Sequence, residues 1–156
     1  MLAIGDTPPD FSLNNQDGEA VHSKDLRGSW VVVFAYPKAN TPGCTTEACE
    51  FRDLNTEFAA AGATVLGISA DSVRAQGNFR TKHGLTTPLL SDPERTVLEP
   101  WGIWGEKKNY GRTYMGIIRS TFVLDPEGKV AFVWPKVRVK GHVDAVLAKV
   151  RELAGE

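Results

Sequence analysis

The sequence predicts an α/β fold, in which a mixed central β-sheet is covered by helices on both faces and preceded by an N-terminal β-hairpin extension. Two near-continuous apolar segments, residues 29–36 and 63–70, indicate central strands that are covered on both faces. Helical patterns follow both segments, and this strand–helix–strand alternation predicts parallel pairing. A tight turn at residues 125–128 instead predicts an antiparallel pair near the C-terminus, so the sheet is expected to be mixed.

The individual elements follow from local patterns in the chain. An Asp17–Gly18 turn between two short segments indicates the hairpin. Apolar or alternating segments predict strands at residues 10–13, 19–22, 29–36, 63–70, 88–93, 117–124 and 129–134. Helical periodicity and capping signals predict helices at residues 42–61, 73–83, 94–99 and 142–153. Residues 101–116 are expected to form a loop, and the resulting order of elements is that of the thioredoxin fold.

Length and composition exclude several classes of protein. The 156 residues fit one domain with a single core, which we expect to span residues 1–156. A formal net charge of −1 argues against nucleic acid or an anionic membrane as the partner, since both require a concentrated basic surface. No apolar segment approaches the roughly 18 residues of a membrane span, and the N-terminus does not resemble a secretion signal. We therefore expect a cytoplasmic location.

The segment from Tyr36 to Asp53 carries the chemically informative residues. A buried strand ends there, a loop rich in Pro and Gly follows, and a cysteine opens the next helix. Thr41 is a suitable N-cap and Pro42 suits the first helical position, so Cys44 is expected in the first turn. Unpaired N–H groups and the positive end of the helix dipole favour a thiolate there. Only the thiolate attacks peroxides, disulfides or metals.

The second cysteine lies five residues further on. In an intact helix the Cα atoms of Cys44 and Cys49 are about 8.7 Å apart and about 140° apart around the axis. A disulfide requires less than about 7 Å. Cys44 falls on the apolar side with Phe51, whereas Cys49 falls on the polar side near Asp53. We therefore predict a reduced state in which the helix is intact and an oxidised state in which its first turns unwind.

Other kinds of site find less support in the sequence. Two thiolates lack the further ligands that zinc needs, and the C-x-x-C spacing is absent, so we expect no metal site. Glycine motifs for phosphates or dinucleotides are also absent, so the 15 glycines are expected to lie in turns. Trp101 and Trp104 suit core or loop packing better than a pocket. The three histidines are expected to be surface or capping residues: His22, His83 and His142.

Several motifs resemble those of one known family. The pattern Pro37-x-x-x-Thr41-x-x-Cys44 is similar to the active-site signature of the peroxiredoxins. The whole segment from Tyr36 to Asp53 resembles the peroxiredoxin Q, or bacterioferritin comigratory protein, subfamily. The resemblance covers nearly the whole chain and resumes in three further segments: Trp104-Gly-Glu-Lys-Lys, the segment 116–125 and Gly141-His-Val.

The resemblance implies roles for specific residues. Cys44 would be the peroxidatic cysteine, which attacks the terminal oxygen of a hydroperoxide. Arg119 would hold the thiolate and the peroxide through directed, charge-assisted hydrogen bonds. Glu47 would orient Arg119 or the neighbouring backbone. The Thr41 hydroxyl is expected beside the Cys44 sulfur, where it can hydrogen-bond to the thiolate or to an incoming oxygen. The substrate pocket would be shaped by residues of the loop and the first turns of the helix: Pro37, Thr41, Gly43 and Glu47.

The resemblance also implies a catalytic cycle that needs no prosthetic group. Cys44 would become a sulfenic acid, and Cys49 would then attack it to give an intramolecular disulfide. Thioredoxin or a similar dithiol donor would reduce that disulfide, and the enzyme would serve antioxidant defence. The subfamily favours a monomer.

Three alternatives stay open at the level of sequence. A thiol–disulfide oxidoreductase would normally use C-x-x-C, which this chain lacks. A copper-carrying thioredoxin-fold protein would use two cysteines separated by three residues and a distant histidine, whereas four residues separate Cys44 from Cys49. A binding domain with incidental thiols would keep all its activity when Cys44 is replaced by Ser.

Overall fold

A computed structural model describes residues 1–155 as a mixed seven-stranded sheet, a separate two-stranded hairpin and four α-helices. The strands are β1 Ser12–Asn14, β2 Ala20–His22, β3 Trp30–Ala35, β4 Ala63–Ser69, β5 Leu89–Ser91, β6 Trp104–Asn109, β7 Arg112–Ile117, β8 Ser120–Leu124 and β9 Val130–Trp134. The helices are α1 Pro42–Asp53, α2 Asn55–Ala60, α3 Val73–His83 and α4 His142–Leu153, with a short 3-10 helix at Ser23–Leu26.

The large sheet has the strand order β2-β1-β5-β4-β3-β8-β9. The strands β3, β4 and β5 are parallel to one another, whereas β8 and β9 run antiparallel beside β3, and β1 runs antiparallel beside β5. The two predicted apolar segments became the central strands, and residues Val31–Ala35 are at most 2% exposed. The predicted α/β, thioredoxin-like class with its mixed sheet and N-terminal hairpin is therefore confirmed.

Alternate residues of the central strands enter two apolar clusters, one on each face of the sheet. Val32 and Phe34 belong to the first cluster, to which all four helices contribute. Val31 and Val33 belong to the second, which is covered chiefly by the segment between β5 and β6. The expected cover of helices on both faces is therefore not found within residues 1–155, because the segment that was expected to supply a helix on this face forms turns. Within residues 1–155 no helix is long and apolar enough to cross a membrane.

Two of the predicted helices differ in the structure. The helix expected over residues 42–61 bends at Leu54, whose ψ of 10° separates α1 from α2. The helix expected over residues 94–99 is wrong, because that segment forms consecutive turns. There the Asp92 carboxylate accepts the N–H groups of Thr96, Val97 and Leu98, and Arg95 has a left-handed φ of 61°. Local side-chain hydrogen bonds of this kind compete with regular helix formation.

The loop expected over residues 101–116 is also wrong. Strands β6 and β7 pair there in register and are joined by Tyr110 and Gly111, which have positive φ values of 50° and 76°. Positive φ at both central residues is characteristic of the two-residue turn that matches strand twist. Only one of the twelve residues in the two strands is buried, so the apolar alternation that usually predicts a strand is absent.

Candidate active site

The candidate site lies where β3 ends and α1 begins. Thr41 has the extended backbone expected of an N-cap, and Pro42 occupies the first helical position. The hydroxyl of Thr41 does not cap the helix, because it donates a hydrogen bond to the carbonyl of Lys38 at 2.7 Å. The N–H groups of the first turn thus have no side-chain cap, and the positive end of the helix dipole lies next to Cys44.

Cys44 lies in the first turn of α1, and its side chain is buried. It is 1% exposed and packs in the first apolar cluster with Ala48 and Phe51. The Nη2 atom of Arg119 lies 3.2 Å from the Cys44 sulfur. A guanidinium at this distance stabilises a thiolate and can at the same time donate to an oxygen bound beside it.

Arg119 reaches Cys44 because of the sheet register. Ala35 at the end of β3 pairs with Ser120 at the start of antiparallel β8, so the residue before β8 lies beside the loop that leads to α1. The carbonyl of Arg119 accepts a hydrogen bond from the N–H of Val137 at 2.8 Å, which fixes the backbone. Two residues 75 positions apart are thereby brought together.

Glu47 is fully buried one helical turn after Cys44. Its Oε1 accepts a hydrogen bond from Nη1 of Arg119 at 2.7 Å, so the guanidinium bridges the carboxylate and the sulfur. Burial raises the pKa of Glu47 to about 7, although the neighbouring positive charge of Arg119 opposes that shift. Burial alone would lower the pKa of Arg119, but the charges of Glu47 and Cys44 raise it above its usual value.

The glycine at position 43 leaves room for the guanidinium. A Cβ atom at Gly43 would lie 3.2 Å from Nη2 of Arg119, which is closer than nearly all real Cβ contacts. A second cation lies near the site on the β6–β7 hairpin. Lys107 donates a hydrogen bond to the Ile117 carbonyl at 2.8 Å, and its pKa is lowered by burial and by Arg119.

The loop before α1 is held by two side chains from other elements. The carboxylate of Asp71 accepts the N–H of Ala39 at 2.8 Å and the hydroxyl of Ser69 at 2.7 Å. His83 at the end of α3 lies 3.2 Å from the amide oxygen of Asn40, which has a left-handed φ of 64°. These contacts fix the turn that carries Thr41 and Cys44.

Cys49 lies on the same helix and is only partly buried. Both cysteines are free thiols, and α1 is continuous from Pro42 to Asp53. Regular helix geometry keeps their Cα atoms about 8.7 Å apart. A disulfide between them therefore requires part of α1 to unwind.

With this geometry in view, comparisons with known proteins identify the family. The AhpC/TSA family model matches residues 4–133. Peroxiredoxin Bcp of Bacillus subtilis is 44% identical over 153 residues, which cover 98% of each chain. The solved bacterioferritin comigratory protein of Xanthomonas campestris has a TM-score of 0.88 at 43% identity and covers 92% of both chains. The chain is a peroxiredoxin of the AhpC/TSA family.

A further solved structure, a cysteine-to-serine mutant of PrxQ from Xylella fastidiosa, matches the peroxiredoxin with a TM-score of 0.94 at 36% identity. The match covers 99% of this chain and 98% of that one. The Bcp and PrxQ relatives support a thiol peroxidase, an enzyme that takes a hydroperoxide as substrate and a thiol as reductant.

The structure brings some of the predicted site residues of the peroxiredoxin together and leaves others apart. The guanidinium of Arg119 contacts Cys44 and Glu47 and lies against Gly43. Pro37 and Arg119 line the same groove on the surface. The Thr41 hydroxyl, expected beside the Cys44 sulfur, instead donates to the carbonyl of Lys38. Cys49 lies five residues beyond Cys44 on the continuous helix α1.

Three residues near the site were missed as site residues by sequence reasoning. Lys107 was missed because its hairpin was expected to be a loop, and Asp71 because no local pattern links it to the loop before α1, 32 residues away. His142 was expected to be a surface or capping residue but is buried, with Nε2 2.8 Å from the Thr121 hydroxyl and an edge contact with Trp134. Burial, together with the smaller effect of the positive charge of Arg119, lowers the pKa of His142 to about 4.

Proposed function

We propose that this peroxiredoxin reduces hydrogen peroxide and organic hydroperoxides with Cys44 as the peroxidatic residue, in the service of antioxidant defence. The observation that carries the proposal is the 3.2 Å contact between Arg119 and the Cys44 sulfur at the start of α1. A helix N-terminus and a guanidinium together favour the nucleophilic thiolate. The X. campestris relative was solved in trapped intermediate and ligand complexes that address its alkyl peroxide reduction activity.

In the first step the Cys44 thiolate attacks the terminal oxygen of the hydroperoxide. A sulfur–oxygen bond forms, the O–O bond breaks, and sulfur is oxidised by two electrons to a sulfenic acid. The leaving alkoxide or hydroxide takes up a proton and departs as alcohol or water. Arg119 donates hydrogen bonds to the oxygens, where negative charge develops.

The other predicted pocket residues support this step in separate ways. The Thr41 hydroxyl donates to Lys38, so its oxygen is available to accept a hydrogen bond from the hydroperoxide O–H. Gly43 leaves space for the guanidinium, and Pro37 lines the same surface groove as Arg119. Glu47 acts as a positioning residue because its carboxylate fixes the orientation of Arg119.

In the second step Cys49 resolves the sulfenic acid. The Cys49 thiol attacks the Cys44 sulfur, water leaves, and an intramolecular disulfide forms. Since an intact α1 keeps the residues too far apart, the first turns unwind and carry Cys44 out of the apolar cluster. The cycle is thus that of an atypical two-cysteine peroxiredoxin.

In the third step a dithiol donor such as thioredoxin reduces the Cys44–Cys49 disulfide by exchange and is itself oxidised. A cycle of this kind needs a reducing compartment, which agrees with a cytoplasmic enzyme. We expect the enzyme to act as a monomer, with an intramolecular disulfide that needs no thiol from a second subunit. Size-exclusion chromatography with light scattering tests this expectation.

The test is rapid mixing of the reduced protein with one equivalent of hydrogen peroxide, followed by a thiol count and intact mass. Loss of both thiols and a mass about 2 Da below the reduced chain is the expected result, since two hydrogens are lost. Cys49→Ser is the matched control, because its sulfenic acid should persist and react with a dimedone probe. Survival of both thiols in the wild type would overturn the proposal.

A further inference from the structure

A groove with a volume of about 630 Å³ opens at the surface beside the candidate active site. Pro37 and Arg119 are among its lining residues, and Arg119 also contacts the Cys44 sulfur. The groove therefore leads to the side chain that binds the reacting atoms. Its size lies within the range of about 300–1,000 Å³ that is typical of sites for small organic molecules.

The walls of the groove are strongly cationic. Four basic side chains line it, whereas Glu106 is its one lining carboxylate. The basic residues are Lys107, Lys108, Arg119 and Lys136. The whole chain has a formal net charge of −1, so this positive surface is a local feature.

The four cations differ in what they already bind. Arg119 is engaged by Cys44 and Glu47, and the ammonium of Lys107 donates to the Ile117 carbonyl. Lys108 and Lys136 are exposed, and neither forms an ion pair or a side-chain hydrogen bond within residues 1–155. Two ammonium groups are thus available to an anion in the groove.

Apolar side chains complete the groove. Ile118 and Val137 line it together with Pro37, and all three are half-buried. Val137 also donates its N–H to the Arg119 carbonyl, which places Lys136 next to the segment that holds Arg119. A ligand that fits this surface has a short hydrocarbon part and an anionic group.

We propose that this groove binds the organic part of hydroperoxide substrates and selects those that carry a carboxylate. The proposal rests on the proposed peroxidase function. The O–O group reaches Arg119 and Cys44, the hydrocarbon lies on Ile118 and Val137, and the carboxylate interacts with Lys108 and Lys136. The reaction is unchanged: the thiolate takes the terminal oxygen, and the remaining alkoxide is protonated to a hydroxy acid.

The test compares two substrates that differ in charge, 3-hydroperoxy-3-methylbutanoic acid and its methyl ester. Reduced wild-type protein is mixed with each near pH 7.5, and second-order rate constants for thiol loss are measured. We expect the acid to react about three- to tenfold faster than the ester at low ionic strength. The ratio should fall as NaCl is raised to 0.5 M, since salt screens exposed charges.

Variants locate the effect in the groove. In Lys108→Gln/Lys136→Gln the ratio of the acid rate to the ester rate should fall toward one, whereas Lys82→Gln on α3 is the matched control and should keep the wild-type ratio. A wild-type ratio near one, or a ratio that survives both substitutions, would overturn the proposal. The wild-type ratio and its salt dependence decide the matter even if the double variant does not fold.

Failure of this proposal is distinguishable from failure of the peroxidase function. Hydrogen peroxide has neither a carboxylate nor a hydrocarbon part, so its reaction does not depend on selection by the groove. Loss of both thiols with hydrogen peroxide, combined with equal rates for acid and ester, rejects only the groove. Absence of any reaction with hydrogen peroxide rejects the proposed function itself.

Discussion

At the scale of single residues, the site combines a local signal with a contact between distant parts of the chain. The position of Cys44 in a first helical turn was predictable, because Thr41 and Pro42 mark a helix start locally. The position of Arg119 followed only from the family resemblance, since no local pattern reveals a partner 75 residues away. Lys107 escaped prediction because the strand that carries it is polar on both faces.

Arg119 is the residue whose replacement tests the site most directly. Arg119→Met removes a charge-assisted hydrogen bond to the sulfur and should lower the rate constant for Cys44 oxidation by about 10- to 100-fold. The rate constant of Arg119→Lys should lie between those of Arg119→Met and the wild type, because lysine keeps the positive charge but lacks the planar guanidinium. Competition for hydrogen peroxide measures the rates. Arg138→Met removes an exposed arginine and serves as control; an Arg119→Met rate equal to wild type contradicts the assignment.

Glu47 should leave a signature in the pH dependence of stability. Its pKa is about 7 in the folded protein because of burial, against about 4.5 when exposed. Between these values the native state holds a proton that the unfolded state has lost. The contribution of Glu47 is therefore fully present below pH 4.5 and is lost as the pH rises through 7, by about 3 kcal/mol at most.

Glu47→Gln cannot titrate, so its free energy of unfolding should change less between pH 5 and 8 than that of the wild type. Urea titrations at several pH values measure the difference between the two proteins. Glu94→Gln, at an exposed position, should follow the wild-type curve. If the stabilities of Glu47→Gln and the wild type change in parallel with pH, burial does not raise the pKa of the Glu47 carboxyl.

At the scale of elements, the strands and helices with the most buried apolar residues were the ones predicted correctly. The central strands and helix α4 were predicted well, because their apolar residues repeat with the period of the element that they form. The helix at 142–153 has the same bounds in the sequence prediction and in the structure. The segment after β5 was mispredicted because the Asp92 carboxylate directs its backbone, and hydrophobic periodicity does not register such a bond.

The packing of the start of α4 against β8 should be sensitive to acid. His142 at the start of α4 is buried against Thr121 and Trp134, and burial lowers its pKa to about 4 from an ordinary value near 6.5. Below pH 6.5 the unfolded chain binds a proton that the native state excludes. The wild type should therefore lose stability as the pH falls from 6.5 to 4.

His142→Gln removes this titration and keeps a polar group beside the Thr121 hydroxyl. Its free energy of unfolding should fall less steeply with acid than that of the wild type, as measured by urea unfolding between pH 7.5 and 4.5. His22→Gln replaces an exposed histidine and is the matched control. If His142→Gln and the wild type lose stability equally, the buried imidazole is not responsible for acid sensitivity.

At the scale of the whole molecule, the fold separates a rigid part from a part that must move. The central strands carry apolar residues on both faces and are paired on both sides, so their opening requires loss of both clusters. Helix α1 contacts only one face, and its first turn lacks a side-chain cap. We infer that α1 can unwind while the sheet stays intact, as the proposed disulfide requires.

Hydrogen exchange tests this separation directly. In the reduced protein, the amides of α1 should be protected; after oxidation by one equivalent of hydrogen peroxide, exchange near Cys44 and Cys49 should be faster by about tenfold or more. Peptides from β3 and β4 should keep their protection, because both clusters remain closed around them. Cys49→Ser forms the sulfenic acid without a disulfide, so its helix should stay protected under the same oxidation. Equal protection of α1 in both redox states would contradict local unwinding. Faster exchange in β3 and β4 would mean that oxidation opens the whole domain, because the strands cannot exchange until their apolar faces separate.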